Sequence, residues 1–100
     1  MRPICMAQLD KRRPVLVLTR EHAVDRLSQV TVAPITGTAR GIRTEVPVGP
    51  DNGLHQASVV SCDNIITIPR TALGDRIGFL LDHQEPALAA AILWAFDLPH

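Results

Sequence analysis

Apolar residues in this chain fall in short runs broken by polar and turn-forming positions, a pattern of strands rather than of long helices. Pro3 to Leu9 reads as a first strand. Val15-Leu16-Val17-Leu18 is apolar at every position, so it reads as a central strand covered on both faces. Only Lys11 and Arg12 separate Asp10 from Arg13-Pro14, which predicts a tight turn between these strands. Arg20 to Gln29 reads as a loop or one short helix. Val30 to Ile35 is a third strand, with Pro34 marking its exit or an edge. Gly37 to Gly41 is a loop, and Thr44 to Val48 alternates like a half-buried edge strand. In Pro50-Asp51-Asn52-Gly53, proline presets φ and glycine accepts a positive φ, which makes a turn. Ser58 to Val60 and Ile65 to Ile68 are two further strands, the second stopped by Pro69. Arg76 to Leu81 is the last, and Gly78 in it signals a bulge or a close backbone approach.

The C-terminal segment changes character. Asp82 is placed to cap a helix, with Glu85 three residues later as its capping-box partner. Ala87 to Phe96 then has no polar face, which predicts a helix covered on more than one side, either by the sheet and a second subunit or by deep insertion into its own domain. Short strands, Gly/Pro turns and one terminal helix describe a mainly β chain with the architecture of a small SH3-like barrel. With 100 residues there is room for one domain spanning 1–100. A domain this small sits near the margin of stability, which favours a dimer.

Composition narrows the function classes. Hydrophobic residues make up 46% and charged residues 20%, a folded chain and not a disordered one. Net charge is zero, but its distribution is uneven. Residues 1–50 hold eight basic and four acidic side chains, whereas residues 51–100 hold two and six. That asymmetry predicts a side that faces an anion. Cys5 and Cys62 fit no metal or disulfide framework and read as buried free thiols in a reducing compartment. His22, His55, His83 and His100 lack metal-ligand spacing. No secretory signal or membrane span is read, so a cytoplasmic protein is expected. A serine-nucleophile elbow, a P-loop and a zinc ribbon are also missing from the pattern.

An ordered set of local patterns is more specific. Arg13-Pro14-Val15-Leu16-Val17-Leu18 opens a buried strand. Val32-Ala33-Pro34-Ile35-Thr36 ends the next, ahead of a basic loop with glycines. Gly53-Leu54, Ser58-Val59-Val60 and Cys62-Asp63-Asn64-Ile65-Ile66-Thr67-Ile68 follow. In order and spacing this resembles the MazF/PemK (Kid-like) family of toxin endoribonucleases, over nearly the whole chain. The resemblance implies a PemK/CcdB-like barrel and a homodimer neutralised by a cognate MazE-like antitoxin. It also implies cleavage of single-stranded RNA (messenger, ribosomal or transfer) without metal or cofactor, inhibiting translation. The products implied are a 2′,3′-cyclic phosphate and a 5′-OH. Matched motif by motif, Arg13 and Thr36 form the heart of the site, and Asp63 stands where Kid-like members place a general base.

The residue types suit that chemistry. Attack by an internal 2′-OH needs positioning, proton transfer and stabilisation of charge on phosphate oxygens. The fork of Arg13 can hold two such oxygens and is always protonated. Thr36 can donate its hydroxyl to a phosphate oxygen or to the 2′-OH. Lys11, Arg12, Arg20, Arg40 and Arg43 are candidates for tracking the phosphate backbone, joined by Gly37, Thr38 and Asn64 around the site. Phe79, Trp94 and Phe96 all fall in the core-like C-terminal part, so stacking of bases on aromatic rings is not expected.

Two features depart from the family pattern. The loop ahead of the Arg-Pro strand, usually longer and carrying a Glu, shrinks to Lys11-Arg12, which leaves the groove more open. Ser61 stands where Kid-like members have an Arg as candidate general acid. A second reading is a CcdB-like inhibitor that binds DNA gyrase. Those proteins share the barrel and use a Trp near the C-terminus, but Trp94 lies inside the apolar helical run and reads as packed.

Overall fold

The computed structural model describes residues 1–99. His100 therefore lies outside the described residues. Seven strands and one helix follow in order: β1 (Pro3–Gln8), β2 (Arg12–Val17), β3 (Gln29–Thr36), β4 (Glu45–Val48), β5 (Ser58–Ser61), β6 (Ile66–Pro69), β7 (Leu73–Phe79) and α1 (Glu85–Ala95). Single 3₁₀ turns stand at Glu21–Ala23, Pro50–Asn52, Cys62–Asn64, Arg70–Ala72 and Asp82–Gln84. The strands run in the order β4-β5-β3-β2-β1-β7, and β6 also pairs with β3.

β3 is the pivot of the sheet. One of its edges pairs with β2; the other is shared, β6 taking Gln29 to Val32 and β5 taking Ile35 and Thr36. The corner between β5 and β6 is the Cys62–Asn64 turn. This curls the sheet into a barrel-like form without closing it, a mainly β fold with a C-terminal helix as the strand pattern predicts. β4 is an edge strand whose Val46 and Val48 are buried while Pro47 is exposed.

Both faces of β2 are covered. Leu16 packs with Ile4, Ile35, Val60, Leu80 and Leu88 in the larger core. Val15 and Val17 point the other way, into a smaller cluster with Cys5, Ala7, Val30 and Ile68. Val15, Leu16 and Val17 are all fully buried. Cys5 and Cys62 are buried free thiols, and burial raises both, Cys62 to about 11.

The start of the helix differs from the sequence expectation. Asp82 opens a 3₁₀ turn, and Glu85 reaches away to Arg2, accepting Nε–H at 3.0 and 3.1 Å. Gln84 does the capping instead: its Oε1 accepts the Leu81 N–H at 2.9 Å. The same amide meets the buried Asn52, whose Nδ2 donates to Gln84 Oε1 and to the Phe79 carbonyl. Gly53, at φ 87°, and Gly78 pack backbone to backbone beside it; a Cβ on either would overlap the opposing chain. The close approach expected at Gly78 is thus present.

The helix is covered on one side only. Leu88 and Ala91 are buried against the sheet, while Ala87, Ala90 and Trp94 are exposed. Trp94 is displayed, not packed: it is 50% exposed, with the Arg43 guanidinium 4.4 Å above its ring. Phe96 is also exposed. The uniform apolarity of this segment hid a one-sided burial. No helix of the described residues is long and apolar enough to cross a membrane.

Candidate active site

Two strand ends build the centre of the site. The β2–β3 ladder pairs Val15 with Pro34, Leu16 with Ala33 and Val17 with Val32. Continued by two positions, the same register sets Arg13 opposite Thr36. Opposed residues of an antiparallel pair share a face, with Cβ atoms about 4.5–5.5 Å apart. The rigid, fully buried stretch of β2 thus delivers Arg13 at its open end, and the exit of β3 delivers Thr36 beside it.

Two open cavities flank this pair, and Arg13, Ile35 and Thr36 line both. The first, of about 640 Å³, has Leu9, Pro34 and Ile66 among its apolar walls and Asp10, Thr38, Arg40, Glu45, Ser61 and Asn64 as polar ones. The second, of about 520 Å³, is bordered by Lys11, Arg12, Gly37, His55, Gln56 and Ser58. Arg13 and Thr36 form the ridge between them.

Arg13 is already engaged. Its Nε and Nη2 donate to the two carboxylate oxygens of Asp10 at 2.8 and 2.9 Å, a two-pronged ion pair. Asp10 is the more exposed member, at 67% against 30% for the arginine side chain. The arginine's hydrogen bonds hold the Asp10 carboxyl well below the usual carboxylate range, and the carboxylate in turn raises Arg13. A guanidinium has five N–H donors, so three remain for a phosphate. The Thr36 hydroxyl oxygen accepts the Thr38 N–H at 3.2 Å, which leaves its proton to donate.

The two other carboxylates near the site have hydrogen-bond partners of their own. Glu45 accepts from the backbone N–H groups of Arg40, Gly41 and Ile42 and so ties down the 40–42 loop. Gly41 is at φ 72°, the left-handed region that favours glycine. Asp63 lines neither cavity: its Oδ2 accepts the hydroxyl proton of the nearly buried Thr44 at 2.7 Å. The resemblance placed a general base at Asp63, and the structure does not bring it to the Arg13–Thr36 ridge. Its neighbour Asn64 does face the first cavity, its Nδ2 donating to Ser61 Oγ at 2.7 Å.

Of the residues expected to hold the phosphate backbone, Lys11, Arg12, Gly37, Thr38, Arg40 and Asn64 surround the ridge. Arg20 does not; it lies in a separate depression with Met1, Arg2 and Glu21. Arg43 does not either, because it stacks on Trp94 at the helix. Asp10 was missed as a site residue, although its place three residues before Arg13, across a two-residue turn, was a usable signal. Among the described residues, no three His, Cys, Asp or Glu side chains are grouped to hold a metal ion.

Comparisons with known proteins identify the family. The family model for "PemK-like, MazF-like toxin of type II toxin-antitoxin system" matches residues 4–96. Endoribonuclease MazF3 of Mycobacterium tuberculosis is 66% identical over 98 residues, covering 98% of this chain and 95% of that protein. The solved Mycobacterium tuberculosis toxin MazF-mt6 superimposes with a TM-score of 0.97 at 65% identity, covering 99% of this chain and all of that one. A mycobacterial endoribonuclease solved in complex with its cognate antitoxin aligns with a TM-score of 0.86 at 26% identity, over 98% of this chain and 94% of that one. The gyrase-inhibitor alternative finds no support in these likenesses, despite the exposed Trp94. With its family model matched along nearly its full length, the chain belongs to the PemK-like, MazF-like toxins of type II toxin–antitoxin systems.

Proposed function

We propose that this protein is a toxin endoribonuclease that cuts single-stranded RNA on the ridge between its two cavities. The observation that carries the reading is the placement of Arg13 and Thr36 side by side, with an open cavity on each flank and cations around both. A strand laid across the ridge puts its scissile phosphate on Arg13 and one flanking nucleotide in each cavity.

In this reading the phosphate meets the free N–H groups of Arg13 and the Thr36 hydroxyl. Charge on the non-bridging oxygens grows as the 2′-oxygen adds to phosphorus, and both donors are aimed at it. Asp10, not Asp63, is the carboxylate in position to take the 2′-OH proton. While it holds Arg13 its basicity is suppressed. The negative charge of a phosphate bound at the free edge of the guanidinium opposes a second anion beside it, so substrate binding itself raises the base towards the ordinary carboxylate range. Lys11, Arg12 and Arg40 hold neighbouring phosphates, and Thr38 and Asn64 present polar edges to a base. The side chains present provide charge stabilisation and proton transfer without metal. The one-sided burial of α1 supports a homodimer, with a cognate antitoxin competing with RNA for the basic groove, in the cytoplasm where translation runs.

The test is to incubate the purified protein with a long single-stranded RNA in excess chelator and to map the ends. Cleavage at a limited set of sites is expected, leaving 5′-OH ends that a kinase labels directly and 2′,3′-cyclic phosphates. Intact RNA, or ends carrying a 5′-phosphate, would contradict the reading.

A further inference from the structure

In-line displacement at phosphorus places the attacking and leaving oxygens on opposite sides, so the groups that move their two protons must also stand on opposite sides of the phosphate. The ridge and its two cavities have that layout. Asp10 lies on one flank, in the first cavity. The second cavity has no carboxylate among its lining residues; its charged groups are Lys11, Arg12 and Arg13. It does have one imidazole, that of His55.

His55 is on a loop held at both ends. Before it, Gly53 is locked backbone to backbone against Ile77 and Gly78, and Leu54 is buried in the larger core. After it, Gln56 lies so close to the exit of β3 that a Cβ on Gly37 would come within 2.5 Å of its Nε2. The Ser58 hydroxyl donates to the Gln56 carbonyl at 3.1 Å. The one residue free to present its side chain between these anchors is His55, and it faces the cavity that shares Arg13 and Thr36.

Resting on the ribonuclease reading above, we propose that His55 is the general acid of the reaction, protonating the 5′-oxygen as it leaves. The 2′-oxygen to phosphorus bond forms as the phosphorus to 5′-oxygen bond breaks. The 2′-OH proton passes to the carboxylate side, and the His55 imidazolium gives its proton to the departing oxygen and regains one from water. Imidazole suits this step because it exchanges a proton near neutral pH. Lysine and arginine side chains ordinarily hold theirs too tightly for it.

The experiment uses an RNA oligonucleotide carrying a cleavage site mapped with the full-length protein. It is made in two forms, one ordinary and one with sulfur replacing the bridging 5′-oxygen at the scissile bond. A thiolate leaves without needing a proton. His55→Ala and His55→Gln should cut the ordinary RNA about 100-fold more slowly than the unaltered protein or worse. Both should cut the sulfur form within about threefold of it, a rescue that a structural or binding role would not produce. Equal loss on both substrates, or no loss on either, overturns the assignment while leaving the ribonuclease reading in place. If the unaltered protein cuts neither substrate nor the mapping RNA, the ribonuclease reading fails and the assignment fails with it.

Discussion

Arg13 and Asp10 show how a site can be held ready by one ion pair. The bidentate contact fixes the plane of the guanidinium at the mouth of β2 and leaves its far edge free. Because the Asp10 carboxyl is lowered, the pair is intact above the ordinary carboxylate range and is lost only as pH falls through the lowered value. A carbon-detected NMR titration should therefore show no Asp10 inflection near pH ~4, the unperturbed value. In Arg13→Ala the inflection should return to about 4; an inflection there in both proteins would refute the pairing. At this scale the sequence was informative where a residue's role depends on its own strand. Arg13 and Thr36, expected together from motif and register, do line the same two cavities. Asp63 stands off those cavities, with one carboxylate oxygen accepting from Thr44, a side-chain partner 19 residues away. Local spacing carries no trace of that bond.

Elements were legible where burial is periodic and obscure where long-range polar contacts decide. The apolar Val15-Leu16-Val17 stretch of β2, the proline-marked exit of β3 and the alternating β4 follow from side-chain pattern alone. β7 starts at Leu73, ahead of the expected Arg76, because Leu73 pairs with Ala7 across a bulged ladder. Asn52 looked like an ordinary turn residue, yet it is buried and bridges the Pro50–Asn52 turn, the end of β7 and the start of the helix. This clasp also secures the loop that carries His55. Asn52→Ala would leave the Phe79 carbonyl and the Gln84 amide without that partner, at a cost of about 2 kcal/mol. Gly78→Ala, whose Cβ would overlap the Asn52 carbonyl, should cost at least as much. Urea unfolding reads both; stabilities unchanged from the parent protein would disprove the clasp.

At the level of the whole molecule, charge and shape work together. The basic excess of residues 1–50 is not spread evenly: Lys11, Arg12, Arg13 and Arg40 converge on the cavities, while Arg20 and Arg43 are used elsewhere. The halves of the chain forecast an anion-facing side but could not say which cations form it, because that depends on how β3 bridges its neighbours. The short β1–β2 turn leaves the ridge open, so that a polynucleotide can lie across both cavities. In the proposed reaction all of this serves one event, the build-up of negative charge on a phosphate held by Arg13. The most direct measurement compares Arg13→Ala with the parent protein in single-turnover cleavage, alongside binding of an uncleavable RNA lacking the scissile 2′-OH. The account predicts a loss of roughly 10²–10³ in rate with less than about a tenfold change in binding, since the arginine acts mainly as charge develops. An unchanged rate, or a loss in binding as large as the loss in rate, would contradict it.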